Sequence, residues 1–300
     1  AGGALSSSPE QSSTTCVRIP ADLVRQAVLD PSVLDPFLHI PGECLAGGDA
    51  VAFPTETVYG LGADATRTEA VGKIFQAKKR PADNPLIVHV SSEAMLEPLV
   101  AAAGKEDVRR RELGWGDRHD RLARELMAKF WPGPLTLLFP ASSAVPAAVT
   151  AGLGTVGIRM PAHPVARRLI HLAGVPVAAP SANISGRPSP TVADDVLADL
   201  QGRVSMVVDG GPCTVGVEST VLSLIRDPPM VLRPGGITLE ELREIIPNVE
   251  LYCPEESPVG ESETPAAPGL KYRHYAPEAK VVVLEFGGKE SGAVTAGKAA

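Results

Sequence analysis

From residue 50 onward the chain alternates two kinds of pattern. Short apolar runs at 50–53, 86–90, 135–139, 156–160, 175–179, 206–208, 221–225 and 230–232 have the length and the β-branched content that predict strands. Between them, apolar residues return at helical spacing over 69–77, 121–130, 164–173, 192–200 and 239–246, and Thr191 is a candidate N-cap for the fourth of these helices. Strands interleaved with helices build an α/β sheet, and the consecutive strands late in the chain make it mixed. The expected fold class is therefore α/β, a twisted mixed sheet with flanking helices, followed by a linker and the start of a second α/β domain.

The rhythm breaks in three places. Residues 1–15 are small and polar, too poor in apolar groups to offset the entropy of ordering, and a disordered tail is expected over 1–20. Residues 104–120, with Arg109-Arg-Arg111 and Gly114-Trp-Gly116, read as a surface insertion whose basic triplet is a solvated face. From 247 to 279 the chain turns rich in Pro, Glu, Ser and Gly, as linkers do. A strand pattern then begins at Val281 and is followed by Gly287-Gly288, with too few residues to complete a domain; together with Ala1 in place of an initiator Met, this fits a chain cut at both ends. The expected division is 1–20 tail, 21–248 main domain, 249–280 linker and 281–300 truncated start of a second domain.

Composition narrows the function. With 300 residues and 44% hydrophobic content the chain can bury a full core. Its net charge of -7 argues against a surface built mainly for phosphate-backbone binding, so any nucleic-acid contact must be local. Cys16, Cys44, Cys213 and Cys253 are far apart, without a C-x-x-C pair or a His at ligand spacing, which leaves scattered reduced thiols and no metal site. No apolar run approaches the roughly 20 residues of a spanning helix, and the start has neither an apolar signal core nor Arg enrichment. The expectation is a cytoplasmic protein with no membrane partner.

Three polar clusters follow predicted strands or helices. Phe53-Pro-Thr-Glu-Thr-Val-Tyr-Gly-Leu-Gly62 places hydroxyls, a carboxylate and glycines at a strand end, where open α/β sheets bind ligands, though an ordinary Gly-rich turn reads the same way. Lys78-Lys-Arg-Pro-Ala-Asp-Asn-Pro-Leu-Ile-Val-His89 puts cations just past a helix end, where they also serve as simple dipole partners. His89 alternates with Val88 and Val90 and faces away from both; a buried, satisfied histidine is the competing reading. Ala179-Pro-Ser-Ala-Asn-Ile-Ser-Gly-Arg-Pro-Ser-Pro190 offers hydroxyls, an amide and backbone N–H groups for phosphate or nucleoside, without a Walker P-loop. Arg159 lies in an otherwise apolar strand and requires an anionic partner, for which a substrate carboxylate or phosphate and an internal Asp or Glu are equally good.

Together these segments closely resemble the threonylcarbamoyl-adenylate synthase family, whose catalytic unit is the YrdC-like domain. The resemblance rests on Phe53 to Ala63, on Lys78-x-Arg80 with Ser181-x-Asn183, on Trp131-Pro-Gly-Pro-Leu-Thr136 and on Gly216-Val-Glu-Ser-Thr220, and runs over about 45–246. Lys271-Tyr-Arg-His-Tyr-Ala-Pro277 is similar to the linker of the family's long form, which continues into a C-terminal Rossmann-like domain. The insertion after Ala103 and Pro41, within an expected helix, depart from the pattern.

The resemblance implies a nucleotidyltransferase of tRNA processing. Threonine's amine captures bicarbonate, the carbamate attacks the α-phosphorus of ATP, and pyrophosphate leaves. By motif, Thr57, His89, Arg159, Ala179 and Ser219 surround threonine, with Arg159 as partner of its carboxylate. Arg80, Asn84, Thr155, Ser181, Ser189, Arg233 and Tyr275 line the ATP site, and Lys78, Arg80, Ser181 and Asn183 form the catalytic group. The linker is expected to close as a lid, with Tyr272, His274 and Tyr275 enclosing ATP. Mg2+ bound with ATP is the implied cofactor, and tRNA is reached through a separate threonylcarbamoyl transferase. Two other readings remain: an RNA-binding YrdC-like module, and a carbamoyl-adenylate-forming domain of the hydrogenase-maturation type, whose Cys-rich zinc segments are absent here.

Overall fold

Alternating side-chain direction along each strand gives the sheet two apolar faces, and both are used. The computed structural model describes residues 13–101, 107–253, 260, 264–268 and 270–271. In chain order its elements are β1 (Thr15–Arg18), α1 (Ala21–Gln26), α2 (Asp35–Ala46), β2 (Val51–Phe53), β3 (Gly60–Asp64), α3 (Thr68–Lys78), β4 (Ile87–His89), α4 (Glu93–Leu96), α5 (Val108–Glu112), α6 (Asp117–Phe130) and β5 (Leu135–Pro140). There follow α7 (Ala147–Thr150), β6 (Thr155–Arg159), α8 (Pro164–Ala173), β7 (Val177–Ala178), α9 (Ala193–Leu200), β8 (Met206–Asp209), β9 (Thr220–Ser223), β10 (Met230–Arg233), α10 (Leu239–Arg243) and β11 (Glu250–Leu251).

The strands form one mixed sheet in the order β1-β8-β2-β3-β7-β4-β6-β5-β9-β10-β11. Val51 and Phe53 pack with α2 and α8 on one face, while Ala52 joins the opposite core under α3, α6 and α9. On the first face, beyond the reach of α2 and α8, Ile87, Leu138, Val221 and Leu232 gather around Ala267 from the linker. The functional cleft opens over this half of the sheet.

Several sequence expectations need correction. Residues 15–18 are a strand, not part of a tail: β1 pairs in parallel with β8 through Thr15↔Met206 to Arg18↔Asp209, so edge pairing orders a polar stretch that lacks a core of its own. The segment after Ala103 is packed where it is described. Trp115 is buried against Phe139, its indole N–H donates to Asp120 at 2.7 Å, and Asp120 also takes Arg110 at 2.5 Å. Arg110 is thus a buried member of the expected solvated triplet. Thr191 does not cap α9; Val192 holds that place without a side-chain bond. Within the expected linker, Glu250–Leu251 adds β11 to β10. The expected start of a second domain over 281–300 lies outside the described residues.

The strand β3 hides in the sequence because its residues are small. Gly62 faces Val51 across the β2–β3 pair, and a Cβ placed there would lie 2.5 Å from both Phe53 Cε1 and Val177 Cγ1. Glycine is what lets these two side chains close the core at this point. Gly62→Ala is therefore expected to destabilise the fold by about 1–3 kcal/mol, read as a lower urea midpoint at unchanged slope. An unaltered midpoint would show that the packing relaxes without cost.

Candidate active site

The cleft is lined by residues from all three sequence clusters, among them Thr57, Arg80, His89, Arg159, Ala179, Ser181, Asn183, Ser189, Ser219 and Arg233. Its floor is built after β2. Thr55 Oγ1 donates to the Val58 carbonyl at 2.6 Å and accepts from the N–H groups of Thr57 and Val58, which turns the chain sharply and buries Thr55, Glu56 and Thr57. From β6, Arg159 reaches this turn: Nη2 donates to Glu56 Oε1 at 2.5 Å, Nη1 to Thr57 Oγ1 at 2.9 Å and Nε to the Gly133 carbonyl at 3.2 Å. Glu56 Oε2 accepts from the Ala162 N–H. In this structure Arg159 is paired with the internal Glu56, one of the two options physics left open, and it also lines the cleft.

His89 ends β4 directly beside Arg159 in the parallel register of β4 and β6. Its Nδ1 is buried without a hydrogen-bond partner. Burial, and secondarily the positive charge of Arg159, push its pKa down to about 3. The imidazole is accordingly neutral through the physiological range. Ser219, just before β9, shares a 2.8 Å hydrogen bond with Thr136, and Arg233 at the end of β10 donates to both the carbonyl (2.9 Å) and the hydroxyl (3.2 Å) of Ser219. Ala179 follows β7 and donates its N–H to the Ile87 carbonyl.

The opposite wall is the loop 180–190. Lys78, in the last turn of α3, is buried and not part of the lining. Its Nζ donates to the carbonyls of Ser181 and Asn183, so in this structure it holds the loop from behind. Burial, followed by the charge of Arg80, drives its pKa well below that of a free lysine. Ser181 Oγ donates to Asn183 Oδ1 at 2.5 Å, and Asn183 Nδ2 donates to the carbonyls of Ile184 and Arg187. Ser189 Oγ donates to Glu218 at 2.6 Å. Arg80 folds back onto the carbonyls of Asn84 (3.2 Å) and Pro85 (2.9 Å).

Two expected ATP residues lie off the cleft. Thr155 begins β6 whereas Arg159 ends it, roughly 13 Å of strand apart, and Thr155 lines a smaller neighbouring cavity that shares Ile87 and Pro268 with the cleft. Asn84 is buried and absent from the cleft lining, with Oδ1 unpartnered. Tyr272, His274 and Tyr275 lie outside the described residues. Sequence reasoning missed Glu56, Arg187 and Glu218 as parts of the site, although all three stand inside the quoted motifs. Charge was the available signal: Glu56 answers the buried Arg159, and Arg187 and Glu218 interrupt runs of small residues.

Charge divides the cleft. Arg159 is neutralised by Glu56 next to the hydroxyls of Thr57 and Ser219 and neutral His89, a pocket suited to a small polar zwitterion. Arg80, Arg187 and Arg233 line the remainder with Ser181, Asn183 and Ser189, a wall suited to a polyanion. Glu218 is the one carboxylate in this lining among the described residues.

Comparison with known proteins gives the same reading. The Sua5/YciO/YrdC family model, described as telomere recombination, matches residues 43–235, and that of the threonylcarbamoyl-AMP synthase C-terminal domain matches 237–299. The threonylcarbamoyl-AMP synthase of Pyrococcus abyssi is 50% identical over 249 residues, 83% of this chain and 68% of its own length. That of Bacillus subtilis is 48% identical over 255 residues, 85% of this chain and 68% of its own. The crystal structure of P. abyssi Sua5 complexed with L-threonine superposes with a TM-score of 0.74 at 43% identity, covering 89% of this chain and 70% of the other. Among the described residues no helix is long and apolar enough to cross a membrane. By these matches, and by a cleft built from the same motifs, the chain belongs to the threonylcarbamoyl-AMP synthase family.

Proposed function

We propose that the cleft joins L-threonine, bicarbonate and ATP into threonylcarbamoyl-adenylate and releases pyrophosphate, the first step of threonylcarbamoyladenosine modification of tRNA. The observation that carries this reading is the adjacency of the two halves of the cleft: a zwitterion pocket and a polyanion wall that meet at Ser219, which Arg233 holds. Support for threonine and ATP comes from the names of the relatives and from the threonine complex of P. abyssi Sua5. Bicarbonate, tRNA and the separate transferase that would receive the product enter as parts of the proposal.

In this reaction threonine's ammonium gives up a proton and its nitrogen attacks the carbon of bicarbonate, which leaves water and an N-carboxylate. A carboxylate oxygen then attacks the α-phosphorus, and the bond to the β,γ-diphosphate breaks. Two anions must be brought together, so positioning and charge neutralisation carry most of the rate. Thr57 and Ser219 offer hydroxyls to the amino acid. His89, held neutral, offers an acceptor for its ammonium or hydroxyl without adding a positive charge that would repel the ammonium. Arg80 and Arg233 offer planar donor forks to phosphate oxygens.

Mg2+ fits only as an ion carried by ATP. Among the described residues no group of three or more His, Cys, Asp or Glu side chains could hold a metal. Phosphate oxygens and water would supply most of its ligands, with Glu218 the available carboxylate. The ion would neutralise triphosphate charge.

Pyrophosphate release measured with each substrate omitted in turn is expected to require threonine, bicarbonate and ATP together. Arg80→Ala should lower it about 100-fold, the usual cost of losing a charge-stabilising donor. Release driven by carbamoyl phosphate alone would instead favour carbamoyl-adenylate chemistry, and RNA binding without any release would favour a binding module.

A second expectation concerns pH. The folded pKa of His89, about 3, lies below its ordinary 6.5, so as pH falls the unfolded chain takes the proton first, and stability is progressively lost between pH 6.5 and 3. The His89 ring signals in NMR should stay at their neutral positions from pH 8 to pH 5, and His89→Gln should lessen the fall of Tm over that range. A titration centred near 6.5 would contradict the burial argument.

A further inference from the structure

Thr136 lies outside the cleft lining, fully buried on β5, and its Oγ1 stands 2.8 Å from Ser219 Oγ. It alternates with Leu135 and Leu137 and so shares with Leu138 the face of the sheet over which the cleft opens. A hydroxyl buried in an otherwise apolar strand is costly unless it is hydrogen-bonded. Packing fixes its direction. Threonine is stiff about χ1, and the Thr136 methyl sits over Gly157 of β6, where an added Cβ would lie 3.3 Å from it. Oγ1 is thereby left to meet Ser219, the residue before β9, which runs parallel to β5.

The proton positions follow from counting. Among the described residues Ser219 is the one partner of the Thr136 hydroxyl. Were Ser219 the donor of this bond, the Thr136 proton would be buried with no acceptor, which is far costlier than reversing the bond. Thr136 therefore donates and Ser219 Oγ accepts. Ser219 Oγ also accepts from Arg233 Nη2 at 3.2 Å. A hydroxyl oxygen has two acceptor positions and one proton, so both acceptor positions are filled. The Ser219 proton remains, and no described residue accepts it, although Ser219 is buried and lines the cleft.

We propose that Thr136 is a positioning residue of the site, which locks Ser219 as a pure hydrogen-bond donor to the carboxylate of bound threonine. The assignment rests on the synthase reading given above and deepens it. A serine free to rotate accepts from an ammonium as readily as it donates to a carboxylate; with both acceptor positions filled it can only donate. Arg159 stands close by, since its Nε donates to the Gly133 carbonyl while the next carbonyl, of Pro134, accepts the Thr220 N–H. A cation and a neutral donor thus face the same small pocket, and the donor adds hydrogen bonding without a second charge.

A double-mutant cycle on the whole chain tests this, with threonine affinity read by calorimetry and pyrophosphate release read against threonine at saturating ATP and bicarbonate. Thr136→Val, which keeps the shape and removes the proton, is expected to weaken threonine binding and lower kcat/KM for threonine about ten-fold, with KM for ATP within about two-fold of wild type. Thr136→Ser, which restores the donor, should recover most of the loss. In a Ser219→Ala background, Thr136→Val should cost nothing further. Unaltered threonine affinity in Thr136→Val would overturn the proposal. So would a loss that persists undiminished beside Ser219→Ala, or one shared equally by ATP, since each marks a general packing defect. A wild type that binds threonine but releases no pyrophosphate would sink the synthase reading alone, because the cycle read in threonine affinity still decides the role of Thr136. A wild type that binds no threonine would sink both.

Discussion

The buried pair of Arg159 and Glu56 is the interaction on which the rest of the cleft depends. A guanidinium at the end of a central strand is costly to desolvate, and the chain resolves that cost with three fixed contacts: Glu56, Thr57 and the Gly133 carbonyl. Each contact comes from a different stretch of sequence, so one side chain ties β6 to the turn after β2 and to the turn before β5. Glu56 extends the tie to the Ala162 N–H, ahead of α8. Removing one member of such a pair commonly costs about 3–5 kcal/mol because the other charge is stranded. The floor of the amino-acid pocket is therefore rigid before any ligand arrives. A neutral His89 suits this floor, since burial first and the charge of Arg159 second disfavour a protonated imidazole there.

The opposite wall uses the same physics from outside. A loop of small residues has little apolar surface with which to hold itself, and the loop 180–190 is instead fastened by polar groups behind it. Lys78 draws the carbonyls of Ser181 and Asn183 together, and the Lys78 carbonyl accepts the Ser185 N–H. Asp199 adds a second anchor from α9. Lysine and aspartate act here as internal braces, while the hydroxyls and arginines of the wall line the cleft. The short reach from Lys78 to Arg80 along the chain places a loop brace and a cleft-lining cation at the same helix end.

Much of this was legible in the sequence, and the exceptions have physical causes. The helix over 164–173 coincides with α8 because its apolar stripe is continuous and Gly174 stops it at φ +67°. The central strands were visible as apolar runs because both of their faces are covered. Strand β3 was not, since Gly60, Gly62 and Ala63 carry too little side chain to register as a strand, and Phe53 and Val177 crowd out any side chain at Gly62. Strand β1 was missed because edge pairing with β8 needs backbone only. The segment near Trp115 read as an insertion because its order comes from a long-range contact with Phe139 that no local pattern announces. In the site, residue types and order identified the members of the cleft, but not their division of labour. Lys78 and Arg80 look alike in sequence, and only the direction of each side chain separates the brace from the cleft-lining cation.

The same reasoning bears on how the cleft excludes water, as a mixed anhydride product demands. The chain returns to the cleft after β11: Ala267 is fully buried among Ile87, Leu138, Val221 and Leu232, and Pro268 joins the lining, its carbonyl within 3.5 Å of Arg233 Nη1. Lys271 then pairs with Asp83 at 2.7 Å, in the turn between Arg80 and Asn84. An apolar contact at Ala267 and an ion pair at Lys271 thus hold these two points of the linker on the cleft side of the sheet. Because Arg233 contacts both Ser219 and Pro268, the residue that would sense phosphate also touches the segment above it. One guanidinium thus ties the residue before β9, the end of β10 and the linker at Pro268 together in the cleft lining.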